Sequence, residues 1–369
     1  MRCKVTLLLS ISGADNEENL NLIEECVMLV CFDMEVLGEQ FNSRSNISRS
    51  KYKAGNRDET NMMHQMLHGG GFETNSGNRW FDKTIQIVVG MDGVCGLCYE
   101  HSPSEAVSLL QVVEDILEKC RSVEVNCSPD LIMCAKKKKD KCLSRVVEDL
   151  DFCVMRFDGY GKNFIKQNSV SPDVYVQLAL QMTYHRLHGR LVATYESAST
   201  RRFALGRVDC IRSATSEALE WVDHRAAGVG SPDKQKLEYF DRAVKKQTEV
   251  MIENILGDGI DVHLLGLREQ AKLMKEPTDL FLDEGYKIAN HFALSTSQVS
   301  GNCDKNGYFH GLRTSGARWL WRIIQPRSES IVFCLSAFRS SQITDSSHFA
   351  NALQESLLLM QQLLNTRQS

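Results

Sequence analysis

His101 is the residue of this chain whose type and position first indicate chemistry. It follows an apolar run, residues 94–99, that predicts a β-strand, and it precedes an apolar-periodic run, residues 107–117, that predicts an α-helix. The positive end of a helix dipole disfavours an imidazolium, so a ring at such a junction tends to stay neutral and able to accept a proton from an alcohol. A lone histidine is more often structural, so the position leaves two interpretations open: a general base or a structural residue.

Two further groups place polar side chains at short spacing. Lys162 and Lys166 are four residues apart and would share one face of a helix, where two ammonium groups make a compact anion site. Ser295, Thr296 and Ser297 place three hydroxyl groups in succession. The simpler interpretation of the lysines is an exposed helix face, and that of the hydroxyls is a polar loop.

A β-hairpin and a helix are predicted on either side of the histidine. Residues 84–90 and 94–99 are apolar runs joined by the turn pair Asp92-Gly93, which is typical of a hairpin. Ser102 or Ser104 would cap the helix that follows, because serine is a favourable N-cap residue. The histidine would therefore lie between two regular elements.

Signals further along the chain predict a mixed α/β fold without internal repeats. Ser171, Pro172 and Asp173 form a helix start, since serine caps, proline suits the first position and aspartate complements the dipole; Gly189 would end this helix. The residues that would share one face of it are Val174, Leu178, Gln181 and Tyr184. Further helices are predicted at 241–256 and 348–364, and further strands at 154–157 and 331–336.

A series of separated segments resembles, in the same order, the signature of the choline/carnitine acyltransferase family. The matching segments are LHGGG at 67–71, NRWFDK at 78–83, YEHSP at 99–103, GKNFIK at 161–166, SPD at 171–173, TYESAS at 194–199, GRVDCIRS at 206–213 and STSQV at 295–299. The likeness extends from about residue 20 to the C-terminus. Several motifs in one order are far more specific than any one of them.

The resemblance implies two α/β lobes, each like chloramphenicol acetyltransferase, with the active site in a tunnel between them. Residues 1–157 would be the remaining part of the catalytic lobe, which carries His101, and residues 158–369 would be the lobe that binds CoA and choline. Family members have a further portion upstream of the matched segments. Residues 309–325 have no counterpart in the family pattern and are interpreted as an atypical insert.

The chemistry implied by the resemblance is acyl transfer from acetyl-CoA without a metal. His101 would be the general base that deprotonates the acceptor hydroxyl as it attacks the thioester. Ser297 would donate a hydrogen bond to the developing oxyanion, a type of contact worth roughly 3 kcal/mol in other enzymes. Glu105, four residues after the histidine, would help to order the site.

The same resemblance implies a binding site for the cosubstrate. Lys162 and Lys166 would face the phosphates of CoA, and Asp173 would lie beside them. These roles come from the family pattern, because the residues alone would be interpreted as a solvated surface.

The acceptor is predicted to be choline, which would yield acetylcholine. Tyr195 and Ser197 lie in the segment that resembles the family's substrate-site strand. Carnitine carries a carboxylate, which Val208 and Val262 would leave unpaired in a partly dry site at a cost of about several kcal/mol. Carnitine enzymes of the family have an arginine in the segment that contains Val262. A quaternary ammonium instead binds well to aromatic faces, and Tyr195 offers one.

Bulk composition excludes several other classes. A net charge of −4 argues against a nucleic-acid-binding protein, which usually carries a basic face. No run of about 18 apolar residues predicts a membrane span. The thirteen scattered cysteines, Cys95 and Cys98 among them, indicate buried free thiols in a reducing compartment. We therefore expect a cytoplasmic monomer whose partners are choline and acetyl-CoA. The alternatives are a carnitine acyltransferase and a catalytically inactive CoA-binding fragment.

Overall fold

The computed structural model describes residues 14–36, 58–71, 74–103, 106–122, 141–226, 232–276, 278–298 and 320–367. The helices are α1 Ala14–Glu25, α2 Glu59–His68, α3 Ala106–Ser122, α4 Lys141–Asp149, α5 Lys162–Gln167, α6 Pro172–His188, α7 Ser216–Ala226, α8 Asp233–Leu256, α9 Asp261–Met274, α10 Asp279–Leu282, α11 Glu284–Ala289 and α12 Ser346–Asn365. The strands are β1 Leu29–Asp33, β2 Ile85–Gly90, β3 Cys95–Tyr99, β4 Leu150–Phe157, β5 Thr194–Ser199, β6 Val208–Arg212, β7 Leu294–Gln298, β8 Leu320–Pro326 and β9 Ile331–Phe338. The predicted mixed α/β class is confirmed.

The chain divides into two compact units. One comprises Met1–Asn42 and Tyr52–Val147, and the other comprises Ser43–Lys51 and Glu148–Ser369. The lobe boundary predicted after residue 157 falls at the end of β4, whereas the units divide ahead of that strand. Since β4 pairs with β9 along its whole length, it is part of the second unit.

A three-stranded sheet in the order β1-β2-β3 lies in the first unit. β1 runs parallel to β2, and β2 with β3 forms an antiparallel hairpin. Gly93 in its turn has a φ of +83°, a conformation that favours glycine, and Gly90 N donates to Val94 O at 2.8 Å. The hairpin predicted from the turn pair Asp92-Gly93 is therefore confirmed.

The two cysteines of β3 differ from their predicted burial. Both are free thiols, but Cys95 is exposed and Cys98 is half-buried. The prediction of a buried thiol is wrong for Cys95 because β3 is an edge strand of its sheet, and its first side chain points to solvent.

A buried ion pair joins the end of β1 to the segment before β2. Arg79 donates through Nη1 and Nη2 to the two carboxylate oxygens of Asp33 at 2.7 and 2.6 Å, and both side chains are fully buried. Gln65 of α2 donates to the same carboxylate at 3.1 Å. Removing one partner of such a pair typically costs about 3–5 kcal/mol, so the arginine of the NRWFDK segment has a structural role.

A six-stranded sheet in the order β4-β9-β8-β7-β5-β6 is the centre of the second unit. β7 runs parallel to both β5 and β8, and the other neighbours are antiparallel. Helices α6, α7, α8 and α12 pack their apolar side chains against one face of it. Apolar area removed from water at about 25 cal/mol per Å² makes this layer the main source of the unit's stability.

Part of the predicted insert is a central strand. Residues 320–325 form most of β8, which pairs with β7 on one side and with β9 on the other. The interpretation of 309–325 as an insert stays a prediction, and its last six residues are part of the sheet. Residues 309–319 lie outside the described part of the chain.

Helix α6 begins and ends as predicted but is buried on every side. Ser171 is the N-cap and Pro172 the first residue, although the Ser171 hydroxyl makes no capping hydrogen bond. Gly189 closes the helix in a left-handed conformation, and its N–H donates to His185 O. Residues 174–184 are all buried, not only the predicted face, because sheet, helices α7 and α8, and helix α12 surround α6.

Several elements extend beyond their predicted bounds. α8 begins at Asp233, eight residues before the predicted start, and ends before Gly257 as expected. Its first turn is exposed and polar, so it shows no apolar periodicity from which a helix could be predicted. α12, β4 and β9 are each longer than predicted by a few residues.

Helices α9, α10 and α11 have no buried residue although they are rich in leucine and isoleucine. Leu273, for example, is 76% exposed and Ile288 is 64% exposed. These short helices therefore gain little from apolar burial. Among the described residues, no helix combines the length and the apolar character that a bilayer span requires.

Candidate active site

Strands β5, β6 and β7 bring several predicted site residues to one face of the sheet. Tyr195 lies directly opposite Arg212, and Val208 lies opposite Ser199, in the antiparallel pair β5-β6. In the parallel pair β5-β7, Tyr195 is level with Ser295. Because side chains alternate along a strand and paired residues share a face, Tyr195, Ser197, Val208 and Ser297 all point to the same side.

The opposite face of these strands is locked to the helix layer by buried hydrogen bonds. Gln177 of α6 donates through Nε2 to Thr296 Oγ1 at 3.0 Å, and the Thr296 hydroxyl donates to the Tyr195 carbonyl at 3.0 Å. Gln181, one turn further along α6, donates to Thr194 Oγ1 at 3.0 Å. This network fixes the backbones of β5 and β7 against each other and against α6.

Glu196 is a buried carboxyl group on that locked face. Burial raises its pKa to about 8, opposed by hydrogen bonds to its Oε2 from Ser213 at 2.9 Å and Gln247 at 2.8 Å. The side chain is therefore mostly protonated at neutral pH. It points away from Tyr195 and Ser197, so its role is to hold β5 to β6 and α8.

Ser297 lies in β7, paired with Ile323 of β8. The interpretation of residues 295–297 as a polar loop is wrong, because the parallel partners that make them a strand are distant in sequence. Ser297 is half-buried, and its hydroxyl makes no hydrogen bond to another residue of the described part of the chain. A hydroxyl in this state can donate to a group that arrives with a substrate.

Cys210 shares the face that carries Ser197, its cross-strand partner. Burial, together with the nearby Asp261 carboxylate, raises the pKa of this thiol to about 12. The reactive form of cysteine is the thiolate. Cys210 is therefore not the nucleophilic thiolate that a covalent cysteine mechanism would need.

His101 lies two residues after β3 and is exposed. The described part of helix α3 runs from Ala106, and residues 104–105, which separate it from Pro103, lie outside the described residues. His101 belongs to the first unit and Ser297 to the second.

Glu100 and Ser102 form a tight local turn around the histidine. Ser102 donates to Glu100 Oε1 from its backbone N at 2.8 Å and from its hydroxyl at 2.5 Å, which lowers the pKa of Glu100. The predicted cap at Ser102 is therefore wrong, since its hydroxyl is bound to Glu100 and the helix starts later. Ser104 and Glu105 lie outside the described residues.

The two lysines of the predicted CoA site lie on α5, one turn apart. Lys166 is exposed, and its charge opposes the rise in pKa that burial causes in Asp173, at the start of α6. Gly161 immediately precedes α5, and a Cβ atom added to it would lie 2.4 Å from Arg327 O. Only glycine fits there, and Lys162 N donates to the same carbonyl at 2.8 Å.

Three residues that sequence patterns missed border the same face. Arg212 donates through Nε and Nη2 to Asp261 at 2.9 and 2.5 Å, and its guanidinium lies 5.1 Å from the ring centroid of Phe292. The Phe292 ring contacts that of Tyr195 edge to face, with centroids 5.6 Å apart. Arg212 and Asp261 are 49 residues apart, so no local signal links them.

Val262 lies beside Asp261 in the first turn of α9. Its side chain is 51% exposed, and its backbone N donates to Asp209 at 3.3 Å. The argument that a carboxylate here would be in a partly dry environment is wrong for this position. The argument still applies at Val208, because Val208 is half-buried on the shared face.

The chain belongs to the choline/carnitine O-acyltransferase family, whose model matches residues 5–355. The resemblance of the motifs is thereby confirmed. The chain is 45% identical to choline O-acetyltransferase of Drosophila melanogaster, over 95% of this chain and 54% of that protein. It is 36% identical to carnitine O-acetyltransferase of Mus musculus, over 95% of this chain and 55% of that protein. The chain thus spans about half the length of these relatives. A chloramphenicol acetyltransferase structure aligns with 57% of this chain and 89% of its own, with a TM-score of 0.32 and 11% identity.

Proposed function

We propose that this chain transfers the acetyl group of acetyl-CoA to choline. The observation that carries the proposal is the shared face of β5, β6 and β7, on which Tyr195, Ser197, Val208 and Ser297 lie together. The 45% identity to a choline O-acetyltransferase supports the same substrates. The relatives are about twice as long, so activity of this chain by itself is part of the proposal.

In the proposed reaction His101 is the general base and Ser297 the oxyanion donor. The imidazole accepts the proton of the choline hydroxyl while the oxygen attacks the thioester carbonyl. The new C–O bond leaves a tetrahedral oxyanion, which accepts a hydrogen bond from the Ser297 hydroxyl. The C–S bond then breaks, and the imidazolium returns its proton to the departing CoA thiolate. Glu105 would help to order the site.

Acetyl-CoA is proposed to bind through α5 and the start of α6. Lys162 and Lys166 would contact its phosphates, since an ammonium group is a compact positive charge that suits this role. Asp173, whose pKa is raised by burial, is more readily protonated than an exposed aspartate and would repel the phosphates less.

Choline is the proposed acceptor because Tyr195 and Val208 bring an aromatic and an apolar side chain to the shared face. Tyr195 offers a ring to a quaternary ammonium, and such contacts contribute about 0.5–2 kcal/mol. Val208 provides no partner for the carboxylate of carnitine. The 36% identity to a carnitine O-acetyltransferase makes carnitine the second candidate.

The proposal is tested by incubating the purified chain with radiolabelled acetyl-CoA and either choline or carnitine. Acetylcholine should form, and carnitine should be a much poorer acceptor. A chain that binds CoA but transfers no acetyl group would contradict the proposal and favour an inactive CoA-binding fragment. Preferential acetylation of carnitine would contradict the acceptor assignment.

The role of the base is tested with His101→Ala, and His348→Ala serves as the control. His348 is an exposed residue of α12 outside the proposed site. General-base catalysis contributes about 10²- to 10⁴-fold, so kcat should fall at least about 100-fold in the first variant and remain unchanged in the control. An unchanged rate in His101→Ala would show that another group takes the proton.

We further propose that the protein is a monomer that acts in the cytoplasm. The eight cysteines whose side chains the structure describes are free thiols, as is typical of a reducing compartment. Light scattering coupled to gel filtration should give a mass near 41.7 kDa. A mass of twice that value would contradict the monomer.

A further inference from the structure

Helix α9 has an unusual form of attachment to the second unit. None of its fourteen residues is buried, and neither α10 nor α11 contributes a buried residue. Apolar packing therefore holds this segment only weakly. Its attachment to the sheet depends on polar contacts, and these converge on Arg212 and Asp209 of the edge strand β6.

The guanidinium of Arg212 joins four parts of the segment. It makes the two-bond contact with Asp261, the first residue of α9, and Nη1 donates to Ala289 O, at the end of α11, at 2.6 Å. Its Nη2 also lies 3.4 Å from Asn290 Oδ1. The same group lies over the ring of Phe292, just before β7. One side chain thus connects both ends of the segment 261–292.

Asp209 supplies the second connection. Its carboxylate accepts a hydrogen bond from the backbone N of Val262 at 3.3 Å. A Cβ atom added to Gly259 would lie only 2.4 Å from Asp209 Oδ2. The backbone just before α9 therefore passes very close to β6. The first turn of α9, with Val262, is therefore placed against the strand that carries Val208.

We propose that Arg212 and Asp261 are a positioning pair that holds Phe292 against Tyr195 and the start of α9 against β6, and that this placement determines the affinity for choline. The inference rests on the proposed function. The pair connects the predicted aromatic contact of the ammonium, Tyr195, with the ring that packs against it, Phe292. The pair would act through these residues and not on the reacting atoms.

The geometry of the pair explains why a lysine would not replace the arginine. The side chain of Arg212 is 30% exposed and that of Asp261 is 15% exposed, so water competes only in part. A guanidinium offers parallel N–H groups to a carboxylate, whereas an ammonium is a point charge. Lysine could keep the charge but would lose the connection to Ala289 or to Asp261.

The pair is tested first by hydrogen exchange on the full chain without substrate. Arg212→Met should increase hydrogen exchange of the α9 amides by at least about tenfold. Local opening of α9 in this variant no longer has to break the charged hydrogen bonds made by Arg212. Arg242→Met is the matched control: Arg242 pairs with Glu220 and lies 4.6 Å from the Tyr239 ring, but on α8. Unchanged exchange in Arg212→Met would overturn the proposal.

The second test separates positioning from general stability. In Arg212→Met and Asp261→Asn, the KM for choline should rise about tenfold, while the KM for acetyl-CoA and kcat stay within about twofold. Asp261→Glu should restore part of the loss, and Arg242→Met should show none. An equal fall in kcat with both KM values unchanged would overturn the assignment to acceptor binding. If the parent chain transfers no acetyl group, the proposed function fails, and hydrogen exchange alone still decides whether the pair holds α9.

Discussion

Glu196 shows how a single buried residue can make stability depend on pH. Burial raises its folded-state pKa to about 8, against an ordinary value of 4.5. The folded chain thus binds a proton more tightly than the unfolded chain between these values. The contribution of Glu196 to stability should be fully present below pH 4.5 and should decrease as the pH rises toward 8, by about 1.4 kcal/mol per pH unit.

Glu196→Gln should remove this pH dependence, because glutamine keeps the shape and does not titrate. The measurement is urea unfolding of both proteins at several pH values from 5 to 8. The slope of unfolding free energy against pH should differ between them by about 1.4 kcal/mol per pH unit. Glu355→Gln, at an exposed residue of α12, should behave like the parent. Parallel slopes for the parent and Glu196→Gln would show that Glu196 is ionised in the folded chain.

Val262 is the residue at which acceptor choice can be tested directly. Val262→Arg would place a guanidinium in the first turn of α9, next to the strand that carries Val208. A hydrogen-bonded charge pair contributes about 1.5–3 kcal/mol, so kcat/KM for carnitine should rise by roughly tenfold or more. Choline, which has no carboxylate, should gain nothing.

The control for that variant is Leu273→Arg, which adds the same charge near the exposed end of α9. It should leave the preference for choline over carnitine unchanged. Equal gains for carnitine in both variants would indicate attraction by overall charge rather than contact at position 262.

At the scale of elements, the structure assigns a role to the middle residue of β7. The Thr296 hydroxyl links Gln177 of α6 to the Tyr195 carbonyl of β5. Thr296→Val should lower the free energy of unfolding by about 1–3 kcal/mol, because the Gln177 amide would stay buried without its partner. It should also lower kcat, since Ser297 is the next residue of the strand.

Thr296→Ser should restore both properties, because serine keeps the hydroxyl. Thr248→Val is the matched control, since Thr248 donates only to Val244 O within α8. The free energy of unfolding and kcat would be measured for all three variants. Loss of stability with unchanged kcat would show that the network does not position Ser297.

Elements with local signals were predictable from sequence, and those with distant partners were not. The turn at Asp92-Gly93 and the helix from Pro172 to Gly189 are encoded within a few residues of their own ends. β7 and β8 are parallel neighbours joined through a long connection, so their short hydroxyl-rich and tryptophan-containing runs resembled a loop and an insert. Non-local pairing is not visible in local periodicity.

The candidate site was also predictable from sequence only in part. Family motifs selected Tyr195, Ser197, Val208 and Ser297, and the sheet brings these four to one face. Arg212 and Asp261 were missed because only the fold brings together residues 49 positions apart. The exposed position of Val262 was missed because the sequence around it is apolar.

At the scale of the whole molecule, the chain matches about half the length of its relatives. The second unit has a large helix layer on one face of its sheet, while α9, α10 and α11 expose many apolar side chains. Exposed apolar surface of this kind favours association. Activity measurements therefore need low protein concentration and a check of the mass in solution.

The most direct test of the account is a double-mutant cycle on kcat for acetyl transfer to choline, with His101→Ala and Ser297→Ala. Both residues are proposed to act on the same tetrahedral intermediate, although they belong to different units of the chain. Groups that act in one step give strongly non-additive effects. Each single variant should lose about 100-fold or more, and the double variant should lose far less than the product of the two. Losses that multiply, or a kcat that survives either single change, would contradict the proposed mechanism.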